Sequence, residues 1–579
     1  MSAVLETREP SAWYPAEFLP ARLREFDLVS TAPGGVARLR ELILLLAVRG
    51  ELAPHDPVDQ SAQETLKQIQ VQRERLIGTG LVKVPKSRNW VGNEDPPFEI
   101  PPNWEWATLS EIVRVLNGRA YSKQELLDAG PTPVLRVGNL FTSDHWYYSN
   151  LSLEPDKLCK PGDLLFAWSA SFGPFIWDGP NAIFHYHIWK LDPIAPELFN
   201  VQYLHLFLRE KTAELKAAGH GVSMVHLTKE KMEKIPVPWP PLAEQARIVA
   251  CVDELMQLCD ALEAKGRLEA QQHARLLETL LATLTDSTTP EELAANWQRV
   301  AEHLDLLLDR PEAVDVLEQT VLQLAVRGLL VPQDEADEPA RAVLERINSH
   351  RRRAQKQSPA SPSESDPAEP PYVLPSQWAW ARLDDLVENM GSGWSPACED
   401  GERTDPARWA VLRTTSVQVM EYRAHEHKAI PLKLAPRPEI EVKPGDILVT
   451  RAGPMNRVGI SCWVDKTPAR LMLSDKIVRF HPVSDELSPA FVVLALNAGW
   501  TRELLEAAKT GMAASQVNVS QSDLKSLWVP VCSREEQDRI VARVTELRHL
   551  CADLRQRLAA SQATESRLAG ALVESVLSA

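Results

Sequence analysis

The chain has 579 residues, of which 44% are hydrophobic and 25% charged, so it is long enough to form several globular domains. Its formal net charge of −16 argues against a protein that coats DNA nonspecifically, because such binding depends on neutralising phosphates. No window reaches the ~18 consecutive apolar residues of a membrane span, and the N-terminus lacks signal-peptide features, so we expect a cytoplasmic protein.

Two short helices are predicted near the N-terminus, over residues 36–50 and 62–77. The first ends at Gly50, a residue type that commonly terminates helices. The same pattern returns much later, over residues 314–328, which end at Gly328, and over residues 339–353.

This recurrence belongs to an internal duplication that covers most of the chain. The repeated unit is too long for a solenoid, so it indicates a duplicated pair of domains. Its ends stay alike while its middle diverges, which predicts two similar scaffolds with different recognition surfaces. The matching blocks are residues 44–50 and 322–328, 100–112 and 374–386, 160–169 and 443–452, and 237–255 and 529–547.

One short motif raises the possibility of a fused DNA methyltransferase. Asp95-Pro96-Pro97-Phe98 has the form found in the active sites of amino-methyltransferases. Such an enzyme also needs a glycine-rich turn after a strand to bind S-adenosylmethionine, and neither Pro33-Gly34-Gly35 nor Gly391-Ser392-Gly393 has that context. Because Pro371-Tyr372 stands at the matching place in the second copy, we interpret the motif as a linker and keep the methyltransferase as a less favoured alternative.

Other catalytic and metal sites are not supported by the sequence. His185-x-His187 and His425-x-His427 could each place two imidazoles on one strand face, but no further ligand recurs beside them, so no metal site is expected. The seven cysteines form no CxxC pair, which argues against zinc and disulfides. Asp163 and Glu214 resemble part of a nuclease pattern, but Glu214 falls on a helical stretch. A phosphate-binding loop is also absent from the sequence.

The divergent middles contain short runs of β-forming residues separated by turns such as Pro161-Gly162-Asp163 and Pro444-Gly445-Asp446. We predict an α+β protein with two tandem recognition domains, each built on a mostly antiparallel sheet. The predicted segments are a helical arm (1–98), a first recognition domain (99–242), a spacer helix (243–285), a repeat of the arm (286–349), a flexible linker (350–372), a second recognition domain (373–532) and a second spacer helix (533–579).

Candidate DNA contacts lie in equivalent loops of the two predicted domains. Arg, Asn and Ser side chains are of the types that contact base edges in the major groove. For any one of them, a solvated surface role is the better interpretation, and only their clustering at equivalent loops favours DNA. The candidates are Arg119, Tyr121, Ser122, Lys123, Arg136, Asn139, Trp168, Ser169, Ser171, His226 and Thr228 in the first copy, and Trp394, Ser395, Arg413, Ser416, Arg451, Asn456, Arg457, Asn518 and Ser520 in the second.

An apolar seam with alternating spacings of four and three residues follows each Glu-Gln pair, which is typical of a coiled coil. The alternatives are a helix packed on its own domain and two long helices packed together as an antiparallel coiled-coil spacer; we favour the spacer. The cysteines of the seam are expected to be small buried residues. The seam residues are Ile248, Val252, Leu255, Cys259 and Leu262, and Ile540, Val544, Leu547, Cys551, Leu554 and Leu558.

Taken together, these features resemble specificity (S) subunits of type I restriction–modification systems. The resemblance rests on residues 235–249, on the helix that ends at Gly50, on the Trp104-x-Trp106 element and on the Lys160-Pro161-Gly162-Asp163 turn, which all occur twice. Residues 532–535 depart from the pattern, because Cys-Ser-Arg-Glu replaces the Pro-Pro-Leu-Ala of the first copy.

The resemblance implies a subunit without catalysis of its own, in which each recognition domain binds one half of a split double-stranded DNA target. Paired helices in such proteins separate the domains and dock two methyltransferase (M) subunits, which carry S-adenosylmethionine, while restriction (R) subunits use ATP. No cofactor is therefore expected on this chain. A coiled-coil scaffold without sequence-specific DNA contact remains the alternative.

Overall fold

A computed structural model describes residues 26–82, 96–169, 172–217, 228–354, 370–398 and 401–578. The chain divides into two compact units, one of Met1–Leu268 with Gln562–Ala579 and the other of Glu269–Ser561. Within the described ranges, no helix has both the length and the apolar character needed to cross a membrane.

The first unit begins with a helical arm of α1 (Phe26–Thr31), α2 (Gly35–Arg49) and α3 (Ala62–Gly78), which confirms both predicted helices. Gly50 ends α2 in the left-handed conformation, with φ of 76°, and its N–H donates to the carbonyls of Leu46 and Ala47. A Cβ at Gly50 would lie 2.5 Å from Cγ of Pro101. Glycine is therefore required here both for the helix end and for the close approach of the recognition domain.

Within its described residues, the first recognition domain contains four α-helices and ten strands. The strands pair as β1 with β10, as a sheet in the order β2-β9-β6-β7, and as a sheet in the order β4-β3-β8-β5. The elements are β1 (Glu105–Thr108), α4 (Leu109–Ile112), β2 (Val113–Asn117), β3 (Thr132–Leu135), α5 (Val137–Phe141), β4 (Tyr147–Ser149), β5 (Leu158–Cys159), β6 (Leu164–Ala167), β7 (Gly173–Ile176), β8 (Ala182–Phe184), β9 (Ile188–Pro193), α6 (Val201–Ala217), α7 (Lys229–Glu233) and β10 (Pro236–Trp239).

All of these pairings are antiparallel except β3 with β8, so the predicted mostly antiparallel α+β character is confirmed. The prediction of one sheet is corrected, because the strands are divided among several small sheets. Buried side chains of β2, β6, β9 and α6 form the domain core together with Trp239. The Asp95 motif is only partly visible: Asp95 lies outside the described residues, and the Phe98 ring packs 5.0 Å from that of Trp106.

Five helices follow the first recognition domain: α8 (Leu242–Thr285), α9 (Pro290–Ala301), α10 (Leu304–Leu307), α11 (Pro311–Val326) and α12 (Ala340–Ala354). Helices α11 and α12 repeat α2 and α3, and Gly328 repeats Gly50 with φ of 73°. Residues 350–354 belong to α12, so the predicted flexible linker began too early. Residues 355–369 of that linker lie outside the described residues.

The second recognition domain repeats the plan of the first. The sheet β12-β21-β17-β19 corresponds to β2-β9-β6-β7, and β13 with β20 again forms the parallel pair. The elements are β11 (Ala379–Arg382), α13 (Leu383–Leu386), β12 (Val387–Ser392), β13 (Ala410–Leu412), β14 (Val417–Gln418), β15 (Glu421–Tyr422), β16 (His427–Ala429), β17 (Ile447–Thr450), β18 (Ala452–Gly453), β19 (Ser461–Trp463), β20 (Leu471–Met472), β21 (Ile477–Pro482), α14 (Pro489–Asn497), α15 (Gly499–Ala507), β22 (Thr510–Ala513), β23 (Gln516–Asn518), α16 (Gln521–Lys525), β24 (Trp528–Val531) and α17 (Arg534–Ser578).

The apolar seam of α8 packs within the first unit. Ile248, Val252, Leu255 and Cys259 are buried in one cluster with the apolar face of α2 and with Ala569 of α17, and Leu262 packs against this cluster. The seam therefore contacts the arm of its own unit as well as the end of the second long helix, so both alternatives describe part of it.

The seam of α17 is divided in a similar way within the second unit. Ile540 and Val544 join the core of the second recognition domain, and Cys551 is buried. Leu554 packs against a cluster that contains Leu277 and Leu281 near the end of α8. Leu547 and Leu558 are half-buried. In each unit, the first part of one long helix is thus combined with the last part of the other.

The Glu-Gln pair at the start of each long helix forms a repeated polar junction. Gln245 donates to the carbonyl of Pro240 at 3.0 Å, and Gln537 donates to that of Cys532 at 2.9 Å. The hydroxyl of Ser533 accepts from the N–H of Glu536 at 3.1 Å, as a helix N-cap does. The departure at residues 532–535 therefore leaves the second junction intact.

The Pro-Gly-Asp turns are also duplicated in detail. Gly162 and Gly445 both have φ of 92°, a conformation that disfavours residues with a Cβ. The carboxylate of Asp163 accepts from the N–H of Lys160 at 3.0 Å, and Asp446 accepts from Lys443 at 2.9 Å. Each turn precedes a central strand of its domain, which is β6 in the first domain and β17 in the second. The C-terminal end of each strand leads into a loop of the candidate site.

Candidate nucleic-acid interface

A tight turn between β8 and β9 gathers several predicted DNA contacts of the first domain. The N–H of Arg119 donates to the carbonyl of Phe184 at 3.1 Å, and the N–H of Tyr186 donates back to Arg119 at 3.0 Å. The N–H of Trp168 donates to the carbonyl of His187 at 3.1 Å. The residues after β2 and β6 are therefore fixed beside this turn by backbone hydrogen bonds. We call Arg119, Tyr121, Arg136, Trp168 and residues 185–187 the first turn surface.

Aromatic and cationic side chains alternate on the first turn surface. The guanidinium of Arg119 lies 5.4 Å from the ring centre of Tyr121, and that of Arg136 lies 5.2 Å from Tyr147. The Trp168 ring stacks on Trp189 at 5.6 Å. Guanidinium groups and flat rings suit contact with base edges in the major groove, because those edges offer hydrogen-bond acceptors and the apolar methyl group of thymine.

The histidines of this turn were considered in the sequence only as a metal pair on a strand. His185 and His187 instead lie in the turn, with ring centres 4.9 Å apart. Burial is the main cause that lowers the pKa of His185 to about 4, and the neighbouring His187 and Arg136 contribute to the same shift. His185 is therefore neutral near pH 7 and can both donate and accept a hydrogen bond. Among the described residues, no group of three potential ligands is placed to hold a metal ion.

The second domain has an equivalent surface with different side chains. The N–H of Trp394 donates to Leu473 at 2.9 Å, and that of Arg451 donates to Lys476 at 2.8 Å. These bonds repeat those of Arg119 and Trp168, so the residue-by-residue matching predicted from the sequence is correct here. We call Trp394, Ser395, Arg413, Arg451 and residues 474–476 the second turn surface.

Polar and charged groups dominate the second turn surface. The hydroxyl of Ser395 donates to the carboxylate of Asp475. The guanidinium of Arg437 stacks 4.3 Å from the Trp394 ring. The N–H of Val519 donates to the carbonyl of Arg451 at 2.9 Å, which places the exposed Asn518 beside the surface. The same backbone frame therefore presents two chemically different surfaces in the two domains.

Several predicted contacts are occupied in holding helix ends. The Asn139 amide accepts from the N–H of Arg136 at 3.1 Å and donates to the carbonyl of His145 at 2.8 Å. Thr228 accepts from the N–H of Lys231, and Ser520 accepts from that of Asp523. Thr228 and Ser520 are the N-caps of α7 and α16, which is an ordinary role of Thr and Ser, and Asn139 binds the N-cap backbone from the third position of α5.

Three further predicted contacts support loops. The Ser416 side chain is fully buried and its hydroxyl donates to the carbonyl of Arg413 at 2.7 Å, so its prediction as a DNA contact is corrected. Arg457 donates to the carbonyls of Thr414 and Val417, and burial lowers its pKa. The Ser122 hydroxyl is engaged with Glu125 at 3.1 Å.

The remaining candidates differ in exposure. Lys123 and Asn456 are exposed, and Ser169 is half-buried. Ser171 and His226 lie outside the described residues.

The turn residues 185–187 and 474–476 were not predicted as DNA contacts from the sequence. Their position immediately before a shared strand, which begins at Ile188 in one copy and Ile477 in the other, is the signal that could have identified them.

Comparison with known proteins gives a consistent result. Residues 101–273 match the family described as type I restriction modification DNA specificity domain. The chain is 39% identical over 570 residues to the type I restriction enzyme EcoEI specificity subunit of Escherichia coli, with 94% of each chain covered. It is 30% identical over 573 residues to the EcoAI specificity subunit of the same species, again with 94% of each chain covered.

A solved chain described under complex assembly and conformational transition of the type I R-M system is also similar. It aligns with 83% of this chain and 99% of its own length, at 18% identity and a TM-score of 0.47.

Proposed function

Because the chain belongs to the type I restriction–modification DNA specificity family, we propose that its two turn surfaces each bind one half of a bipartite double-stranded DNA target. The observation that carries this proposal is the pair of equivalent backbone frames with unlike side chains, one around residues 185–187 and the other around residues 474–476. Two copies of one frame can approach DNA in the same way, while their side chains select different bases.

The chain acts as a specificity subunit and not as an enzyme. Methylation and cleavage belong to partner chains, namely two methyltransferase subunits that carry S-adenosylmethionine and restriction subunits that use ATP. The chain itself needs no cofactor for recognition, and it acts in the cytoplasm, where host DNA is accessible. The long helices α8 and α17 set the unread distance between the half-sites and dock the methyltransferase subunits.

The acidic balance of the chain supports this division of roles. With a net charge of −16, the chain alone has little general attraction for phosphates. Sequence-specific contacts can come from the turn surfaces, while partner subunits that close around the duplex contribute further phosphate contacts.

The test is to express the chain with its methyltransferase partner and to map methylated adenines by single-molecule sequencing. We expect a split motif with an unread gap. Exchange of residues 99–242 for the corresponding segment of another family member should change one half of the motif and leave the other half and the gap unchanged. A continuous motif, or an exchange that alters both halves together, would refute the proposal. Methylation without sequence preference would favour the scaffold alternative.

A further inference from the structure

A cavity of about 390 Å³ opens beside the second turn surface. Its lining combines the side of β13 with the turn before β21. The charged and hydroxyl side chains that line it belong to Ser395, Arg413, Thr414, Lys428, Ser474 and Lys476. Among the described residues that line the cavity, none is acidic, so its polar lining consists of three cations and three hydroxyl groups.

Ser474 provides a second, independent sign that the cavity holds a ligand. The residue is only 5% exposed, and its hydroxyl has no hydrogen-bond partner among the described residues. A buried hydroxyl without a partner costs free energy, so such groups usually face water or a ligand. Lys476, two residues further along the same turn, is exposed and free to meet a ligand at the opening.

The first domain does not repeat this chemistry. Lys428 of β16 lies opposite Val411 of β13 in the antiparallel strand pair. In the first domain, Tyr147 of β4 lies opposite Val134 of β3 in the same way, so Tyr147 takes the place of Lys428. The Tyr147 ring covers the guanidinium of Arg136, whereas Arg413 lines the cavity together with Lys428 and pairs with the carboxylate of Glu426 at 3.9 Å. By the backbone matches of the two turns, His185 and His187 stand where the second domain has Ser474 and Lys476. Among the described residues at these matched positions, the two lysines therefore occur in the second domain.

We propose that this cavity binds one phosphate of the DNA backbone next to the second half-site, through the Ser474 hydroxyl and the cations of Arg413, Lys428 and Lys476. Lysine and arginine offer only donors, which matches the acceptor oxygens of a phosphodiester better than the mixed donors and acceptors of a base edge. A phosphate held at this depth fixes the register of the second domain on its half-site, because phosphate contacts position and base contacts specify. The inference rests on the proposed DNA recognition and adds to it an asymmetry between the two domains.

The test measures binding of the full chain, in complex with its methyltransferase partner, to a duplex that carries the mapped motif. Binding is followed over a range of salt concentrations for the unaltered chain, Lys476→Gln, Ser474→Ala and Lys443→Gln. Lys443 is the control, because it is exposed in the same domain but lies at the Pro-Gly-Asp turn that precedes β17. For Lys476→Gln we expect weaker binding to all sequences and a salt slope smaller by about 0.9, the contribution of one phosphate.

A methylphosphonate scan identifies the phosphate. Single neutral linkages are placed along the second half-site, and one position should weaken binding of the unaltered chain. At that position, Lys476→Gln and Ser474→Ala should show a smaller additional loss, while Lys443→Gln should show the full loss. The inference would be overturned if the variants kept the salt slope of the unaltered chain and showed no smaller loss at the neutral linkage. The proposed function would still stand in that case if the complex kept its motif selectivity. A changed base preference with an unchanged slope would also overturn it and would assign the cavity to a base. If the unaltered complex bound DNA without any preference for the motif, this would instead refute the proposed function.

Discussion

The indole N–H of Trp104 donates to the buried carboxylate of Glu244 at 2.9 Å. The same carboxylate accepts from the amide of Asn103 at 3.0 Å and contacts His55 Nδ1 at 2.6 Å. One side chain at the start of α8 therefore joins the arm loop and the residues just before β1 to the long helix. The second copy repeats the bond between Trp378 and Glu536, also at 2.9 Å.

Replacement of Trp104 by Phe should destabilise the first unit. The ring can still pack, but the fully buried Glu244 loses a donor, and a hydrogen bond to a charged group contributes about 1.5–3 kcal/mol. The free energy of unfolding, measured by urea denaturation, should fall by this amount. Trp297→Phe is the control, because Trp297 is 45% exposed and its replacement should change stability by less than about 0.5 kcal/mol. Equal losses for both variants would contradict the role of this bond.

Glu536→Gln should alter how stability depends on pH. Burial raises the pKa of the Glu536 carboxyl, and hydrogen bonds from Gln333 and Trp378 offset this only in part. Folding therefore favours the protonated acid. The protonated carboxyl contributes fully to the free energy of unfolding below the unfolded pKa of about 4.3, and this contribution is lost as pH rises through the higher folded pKa. The stability of the variant relative to the unaltered chain should therefore increase as pH rises above the unfolded pKa of about 4.3.

The matched control for this measurement is Glu345→Gln, because Glu345 is exposed in the same unit. Its stability difference from the unaltered chain should stay flat over the same pH range. A flat profile for Glu536→Gln as well would show that the buried carboxyl does not favour the protonated form.

Gly50→Ala should be strongly destabilising. The position has φ of 76°, and the added Cβ would lie 2.5 Å from Pro101 and 2.9 Å from Trp104. We expect a loss of about 2–4 kcal/mol from the left-handed backbone and the steric overlap together. Gly266→Ala is the opposite control, because its Cβ would meet nothing within 4 Å in the middle of α8, and it should stabilise by up to about 1 kcal/mol. Thermal unfolding monitored by circular dichroism should show a lower melting temperature for Gly50→Ala and an equal or higher one for Gly266→Ala.

Tyr186→Ala and Asp475→Ala should change different halves of the DNA motif. Tyr186 is 40% exposed at the tip of the first turn surface, and Asp475 is exposed on the second. Each contact to a base typically supplies about 1–3 kcal/mol of discrimination, so roughly a tenfold or greater relaxation at one base pair is expected. Methylation mapping should show that relaxation in one half-site only. Relaxation of both halves by either variant would be inconsistent with separate recognition.

The repeated elements were predictable because the residues that enforce them are local. Gly50 ends α2 through its own backbone conformation, and the Pro161-Gly162-Asp163 turn closes through a bond between Asp163 and Lys160. Hydrogen bonds between residues so close together in the sequence produce a recognisable sequence pattern wherever they occur. Duplication of the chain doubled that signal, which is why the arms, the two recognition domains and the long helices could be expected from the sequence.

The recognition surfaces depended on the tertiary structure. Arg119 and Trp168 are brought to one turn by hydrogen bonds to strands far away in the chain, and no local pattern specifies such pairings. Ser416 was correctly placed in its loop but its side chain is buried, because side-chain direction follows from the neighbouring strands. The sequence by itself determined the duplicated scaffold and its family. Only long-range packing decided which loop side chains face outward and which of them line the cavity of the second domain.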